Sequence, residues 1–143
     1  MTDAAGAPVP AAISPLAAFA LKGLGHCWMP EHGLFSHRHR LDGSDPANES
    51  VPASDPFYSL TALLGMSRLP GQGRHTDFSV AEIFNTAADA LMRKGVPRYA
   101  FGMCLWASGE LGIEIPDRTS REILRLLEND AACQTFTAQD LGT

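Results

Sequence analysis

Ser79-Val80-Ala81-Glu82-Ile83-Phe84-Asn85-Thr86-Ala87-Ala88-Asp89-Ala90-Leu91 spells out one amphipathic helix together with its start signal. Ser79 can accept a bond from the amide three residues on while Glu82 reaches back, which is a capping box. Behind it Val80, Ile83, Phe84, Ala87 and Leu91 recur at helical spacing, and Lys94-Gly95 closes the run. Thr119-Ser120-Arg121-Glu122 reads as a second capping box, followed by Ile123, Leu126 and Leu127. Each of these helices is preceded by a more apolar one. Pro56 opens the first, which runs through Leu60, Leu63 and Leu64 and stops before Pro70-Gly71. Pro97 opens the other, which carries Tyr99, Phe101, Met103, Leu105 and Trp106 and ends near Gly112. Pro56-Phe57-Tyr58 is answered by Pro97-Arg98-Tyr99, and at the same spacing Leu64 by Leu105, Ser67 by Ser108 and Gly71 by Gly112. Glu82-Ile83 and Glu122-Ile123 recur one residue closer. The pattern predicts a helical hairpin written twice. The Pro-x-Tyr helices, with few charges, should be buried on several sides, and the capping-box helices, with Glu82, Asp89 and Arg93 on their backs, should lie outside them.

Outward from this block the chain becomes less regular. Ser14 is a plausible N-cap with Pro15 at the first helical position, opening a helix to about Cys27 with Leu16, Phe19, Ala20 and Leu24 in register. Residues 1–13, rich in Ala, Pro and Gly, read as a loose N-terminal arm. From Met29 to Pro56 neither a helical nor a strand period survives, and a loop of that length is usually functional or disordered. A short helix is expected from Asn129 or Asp130, and Thr137–Thr143 reads as the start of another that is cut off. No segment reads as a strand. The expected fold is all-α: antiparallel helical-hairpin repeats in a single domain over 14–143, with a long loop at 29–56 and an incomplete C-terminal end.

The 143 residues favour one domain, and 45% hydrophobic against 19% charged is enough to build a core. A net charge of −5 leaves no overall basic footprint for duplex nucleic acid, so no nucleic-acid partner is expected. Cys27, Cys104 and Cys133 are odd in number, widely spaced and without a CxxC pair, which suits a reducing compartment. The N-terminus lacks the basic region of a signal peptide, and the longest apolar stretch, Pro15 to Leu21, is too short to span a bilayer. These features predict a cytoplasmic protein with no membrane partner.

Asp55-Pro56-Phe57-Tyr58-Ser59-Leu60-Thr61-Ala62-Leu63-Leu64-Gly65 and Tyr99-Ala100-Phe101-Gly102-Met103-Cys104-Leu105-Trp106 each resemble an inner helix of the (α/α) toroid group. That group comprises six-hairpin glycosidase-like proteins and the prenyltransferase/terpene-cyclase-like repeats. The resemblance covers Pro56 to Leu127, is architectural and includes no diagnostic catalytic motif. It implies a partial α/α toroid or short solenoid and a carbohydrate-directed protein, with acid/base hydrolysis at carboxylates on the rim of the inner helices. Complete members have several more hairpins than this chain can hold. The chain therefore reads as an N-terminal portion of a longer toroid, or as one that closes its last face by homo-oligomerising. The terpene-cyclase branch is the weaker one, since no DxDD or DDxxD run is present.

On this resemblance the candidate catalytic residues are Glu31 and Asp55 in and at the end of the long loop, with Glu110 and Asp117 after or late in the second inner helix; Asp42 and Glu114 occupy similar positions. Glu110 lies on an otherwise apolar helix, where desolvation would suit a carboxyl to acid catalysis. The alternative is an exposed last turn or an ion pair with Arg98 or Arg118. Trp28, Tyr58, Tyr99 and Trp106 are candidate ligand-stacking residues, or plain core. His26, Cys27, Glu31, His32, His37, His39 and Asp42 offer zinc-ligand types, but their spacings are not those of zinc sites and Arg38 and Arg40 would repel a cation, so no metal is expected. No Walker A, Rossmann or G-x-S-x-G pattern occurs, and no cofactor is expected. The competing reading is a non-catalytic helical-repeat protein–protein interaction module. The two differ in whether Glu110, Asp117, Glu31 and Asp55 converge on one aromatic-lined cleft that would take a carbohydrate.

Overall fold

The computed structural model of the chain describes residues 14–40, 47–69 and 78–129. Helix α1, Pro15–Cys27, starts where Ser14 Oγ accepts the Ala17 N–H at 3.2 Å, with Pro15 in the first turn. It lies at the edge of the domain: Leu21, Leu24 and Cys27 touch the core, while Leu16 and Phe19 are 77% and 74% exposed.

The segment after α1 corrects the expectation of a structureless loop and of an all-α chain. Strand β1 (Trp28–Met29) pairs antiparallel with β2 (Leu34–Phe35), and β3 (Arg38–Arg40) with β4 (Ala47–Glu49). Two- and three-residue strands are too short to show an alternation of period two, which is why no strand is legible in the sequence. What holds them is local bonding. Asn48 Nδ2 donates to the Trp28 carbonyl at 3.0 Å, His39 Nδ1 lies 2.8 Å from Asn48 Oδ1, and Ser36 Oγ bonds the carbonyls of Arg38 and Glu49. The β1–β2 turn needs Gly33 at φ 63°, and an added Cβ there would meet the Thr86 methyl at 3.4 Å.

Helix α2, Asp55–Ser67, is the centre of the domain, burying Ser59, Leu60, Leu63, Leu64 and Met66. It packs against α3 (Val80–Ala90), α4 (Tyr99–Leu111) and β2. The β2 contact is tied by Ser59, whose Oγ accepts the Phe35 N–H at 2.9 Å. Of the expected α3 stripe Ile83, Phe84, Ala87 and Leu91 are buried and Val80 is half-buried, with Ala88 buried beside them, and Ser79 Oγ accepts the Glu82 N–H at 3.5 Å.

Two expectations about the second half change. Helix α4 fully buries only its small residues, Ala100, Cys104 and Ala107, while Tyr99 meets Phe57 of α2 and Leu105 and Trp106 stay 47% and 53% exposed, so it is not buried on several sides. It ends as expected, at Gly112 in the left-handed region (φ 64°). Helix α5, Asp117–Glu128, begins before the supposed capping box, with Pro116 at the cap. Thr119 therefore sits inside the first turn, fully buried, and its hydroxyl donates to the Ala88 carbonyl of α3 at 3.0 Å. A hydroxyl that bonds a neighbouring helix is not distinguishable by spacing from one that caps its own. Through this contact α5 rests on α3.

The described residues are thus mainly helical, with two small strand pairs around one core. No helix among the described residues is long and apolar enough to cross a membrane. The expected arm at 1–13, the short helix beyond Asn129 and the helix start at Thr137–Thr143 lie outside the described residues, as do Asp42, Cys133 and Pro70-Gly71.

Candidate functional site

The four carboxylates singled out by sequence occupy different places. Asp55, the first residue of α2, is 1% exposed. Its Oδ1 accepts the His37 N–H at 2.9 Å, and its Oδ2 accepts the Ser50 hydroxyl and the Val51 N–H, both at 2.9 Å. It fastens both flanks of the β3–β4 pair to the start of α2, where the helix dipole also favours an anion. Glu110, on α4, lies against the opposite end of α2. Its Oε2 is 2.7 Å from Nη2 of Arg68, the residue that caps α2, and the Trp106 Nε1–H donates to its Oε1 at 3.5 Å. The 13 residues of α2 rise about 20 Å. Even with the reach of an arginine side chain, the two carboxylates stand well outside the roughly 5–9.5 Å that glycoside hydrolysis uses. Glu31 is exposed in the β1–β2 turn, 3.9 Å from His32 Nε2, and Asp117 is exposed at the start of α5.

The candidate aromatic residues fall into separate groups. Trp28 packs with Phe35 and Phe78, with ring centroids 5.2 and 5.3 Å away. Tyr58 stacks on His37 at 4.2 Å and meets Phe57, which in turn meets Tyr99 at 5.0 Å. Trp106 keeps company with Glu110. Among the described residues no three His, Cys, Asp or Glu side chains are grouped to hold a metal ion. Cys104 is buried against α2, and burial pushes its thiol pKa up to about 12, so it is not poised as a nucleophile.

A different set of residues does converge. A cleft of about 390 Å³ opens between the turn that follows α3, the start of α4 and the Arg118–Leu126 face of α5. Its apolar part is formed by Leu91, Met92, Val96, Phe101 and Leu126. Its charged part is Arg93 from the turn after α3, Arg98 at the α4 cap, and Arg118 and Glu122 from α5. Glu122 is held by its own helix: Arg125 Nε and Nη2 bond its two oxygens at 2.7 and 2.6 Å, and this partner lowers its pKa. Among the described residues Arg93 and Arg118 have no ion pair. Arg98 and Arg118 stand at the N-terminal ends of helices, where the backbone dipole already disfavours a cation. In a chain of net charge −5 the cleft therefore gathers three arginines and one glutamate around a small apolar patch.

Sequence reasoning missed this site, naming Arg98 and Arg118 only as partners for Glu110. The available signal was an arginine at the start of two successive helices, Arg98 at the α4 cap and Arg118 beside Asp117 in the first turn of α5. What no spacing could reveal is that the two openings and the end of α3 meet.

The described residues thus form a small, mainly helical domain with an arginine-lined cleft between α3, α4 and α5. Set against protein-family models, curated proteins and solved structures, the chain gives no match.

Proposed function

We propose that this chain is a non-catalytic helical-repeat module that works by binding, with the cleft between α3, α4 and α5 as its binding site. The observation that carries this reading is the convergence of Arg93, Arg98 and Arg118 on one cleft. The separation of Asp55 from Glu110 by the length of α2 supports it against a glycosidase, because acid/base hydrolysis needs its two carboxyl groups across one bond. The recurrence of the Pro-x-Tyr and capping-box helices in sequence supports the repeat part of the reading.

The test is a panel of chromogenic α- and β-glycosides, incubated with the purified chain and with Glu110→Gln from mildly acidic to neutral pH. The expected result is release no faster than the blank for either protein. Hydrolysis by the unaltered chain that disappears in Glu110→Gln would overturn the binding reading and restore the carbohydrate-directed one.

A further inference from the structure

We infer that the outer face of α5 pairs with the same face of a second copy of this chain, antiparallel, through two reciprocal ion pairs between Arg121 of each copy and Glu128 of the other. This surface lies outside the cleft and goes beyond the binding reading above. Helix α5 presents three faces. Thr119 and Ile123 are buried, and the Thr119 hydroxyl bonds α3. Arg118, Glu122 and Leu126 border the cleft. Arg121, Leu124 and Glu128, at helical spacings of three and four, share the remaining face. All three are exposed, Leu124 to 54%.

The charges on this face are unused within the chain. Among the described residues neither Arg121 nor Glu128 has an ion pair. Arg125, which stands one turn before Glu128, is taken instead by Glu122 at 2.7 and 2.6 Å. Seven residues of helix separate Arg121 from Glu128, a rise of about 10.5 Å, with Leu124 between them. A closed two-fold contact requires a patch that fits itself, and the order base, apolar residue, acid does so when reversed. With the axis passing beside Leu124 and Arg125, an antiparallel copy places each Arg121 opposite the other's Glu128, so one register makes both pairs. A parallel copy in register would oppose like charges. Leu124 of the two copies meets at the axis, which covers apolar surface that one chain leaves in water. The 12 residues of α5 are about 18 Å long. Two such helices side by side bury less than the roughly 1,200–2,000 Å² of a standard interface, so the association is weak and depends on concentration.

The experiment is sedimentation velocity of the full chain at concentrations from about 10 μM to about 1 mM. It compares the unaltered protein, Arg121→Glu, Glu128→Arg, the double variant, and an equimolar mixture of the two single variants. The unaltered chain is expected to pass from monomer toward dimer over this range. Each single variant sets like charges opposite at both ends of the contact and should weaken association by at least about tenfold. The double variant reverses both charges, and the mixture sets two glutamates of one chain against two arginines of the other. Both should return to within about threefold of the unaltered chain. Only a partner that is itself a copy can follow the reversal, so a different protein or another segment of the same chain gives no such recovery. The substitutions move an acid toward the start of α5 and a base toward its end, as the helix dipole favours, so melting curves at low concentration should not fall. Leu124→Ser should weaken the dimer with the charges intact. A monomer throughout the range, association unchanged in both single variants, or losses that either the double variant or the mixture fails to recover would each overturn the inference.

Discussion

Asp55 separates a structural carboxylate from a catalytic one by measurement. At 1% exposure its side chain accepts the His37 N–H, the Val51 N–H and the Ser50 hydroxyl. Replacing it by alanine removes all three acceptor contacts at once. Ser50 is exposed and can turn its hydroxyl to water, but the two backbone N–H groups are partly buried and lose their acceptor. At about 1.5 kcal/mol for each stranded donor, Asp55→Ala should destabilise the domain by about 3 kcal/mol, a large share of the stability of a small domain. Asp55→Asn keeps one oxygen and turns an NH2 toward existing donors, so about 2 kcal/mol is expected. Urea unfolding followed by the fluorescence of Trp28, close to the altered segment, gives the free energies. Amide exchange gives the local test: protection at His37 and Val51 should fall in Asp55→Ala before it falls in α3. A midpoint lowered by less than the equivalent of 1 kcal/mol, with protection at both amides unchanged, would refute the clasp.

Two further outcomes follow from buried groups. Thr119→Val keeps the shape of the side chain but leaves the Ala88 carbonyl without its hydroxyl donor, so the urea midpoint should drop by about 1 kcal/mol, whereas Thr119→Ser should keep the bond and lose only a methyl contact; equal stability of Thr119→Val and the unaltered chain would remove the α3–α5 tie. In the folded chain burial raises the Cys104 thiol to about 12 from an ordinary value of 9.0. The unfolded chain releases that proton first, so the contribution is complete below pH 9 and falls as pH rises from 9 toward 12, by about 1.4 kcal/mol per pH unit. Stability curves measured from pH 8 to 10 should therefore slope less in Cys104→Ala, and identical slopes would contradict the buried thiol.

Sequence and structure divide unevenly over this chain. The starts of α1, α2 and α3 were legible because Ser14, Pro15, Pro56 and Ser79 act on their own few residues of backbone. The end of α4 was legible at Gly112 for the same reason, since a left-handed residue there depends on no distant neighbour. Where a local signal had two readings, partners remote in sequence chose between them. Thr119 matched a cap, but the Ala88 carbonyl takes its hydroxyl and places it inside α5. The four short strands carried no periodic signal at all and form because Ser36, Asn48 and Asp55 find acceptors and donors up to 20 residues away.

The candidate site shows the same division. Composition and spacing identified carboxylates and aromatic residues of the right types, yet type is a property of a residue and convergence is a property of the packing. Asp55 and Glu110 are placed apart by the rigid length of α2. Arg93, Arg98 and Arg118 come together because α2 holds α3 and α4 on its flanks and α3 carries α5. The sequence by itself determined where the helices begin and which stripe of α3 turns inward, since capping and amphipathic spacing act within a few residues. Only the tertiary structure decided which charged groups share a cavity, since that depends on which helix ends the common core brings into contact.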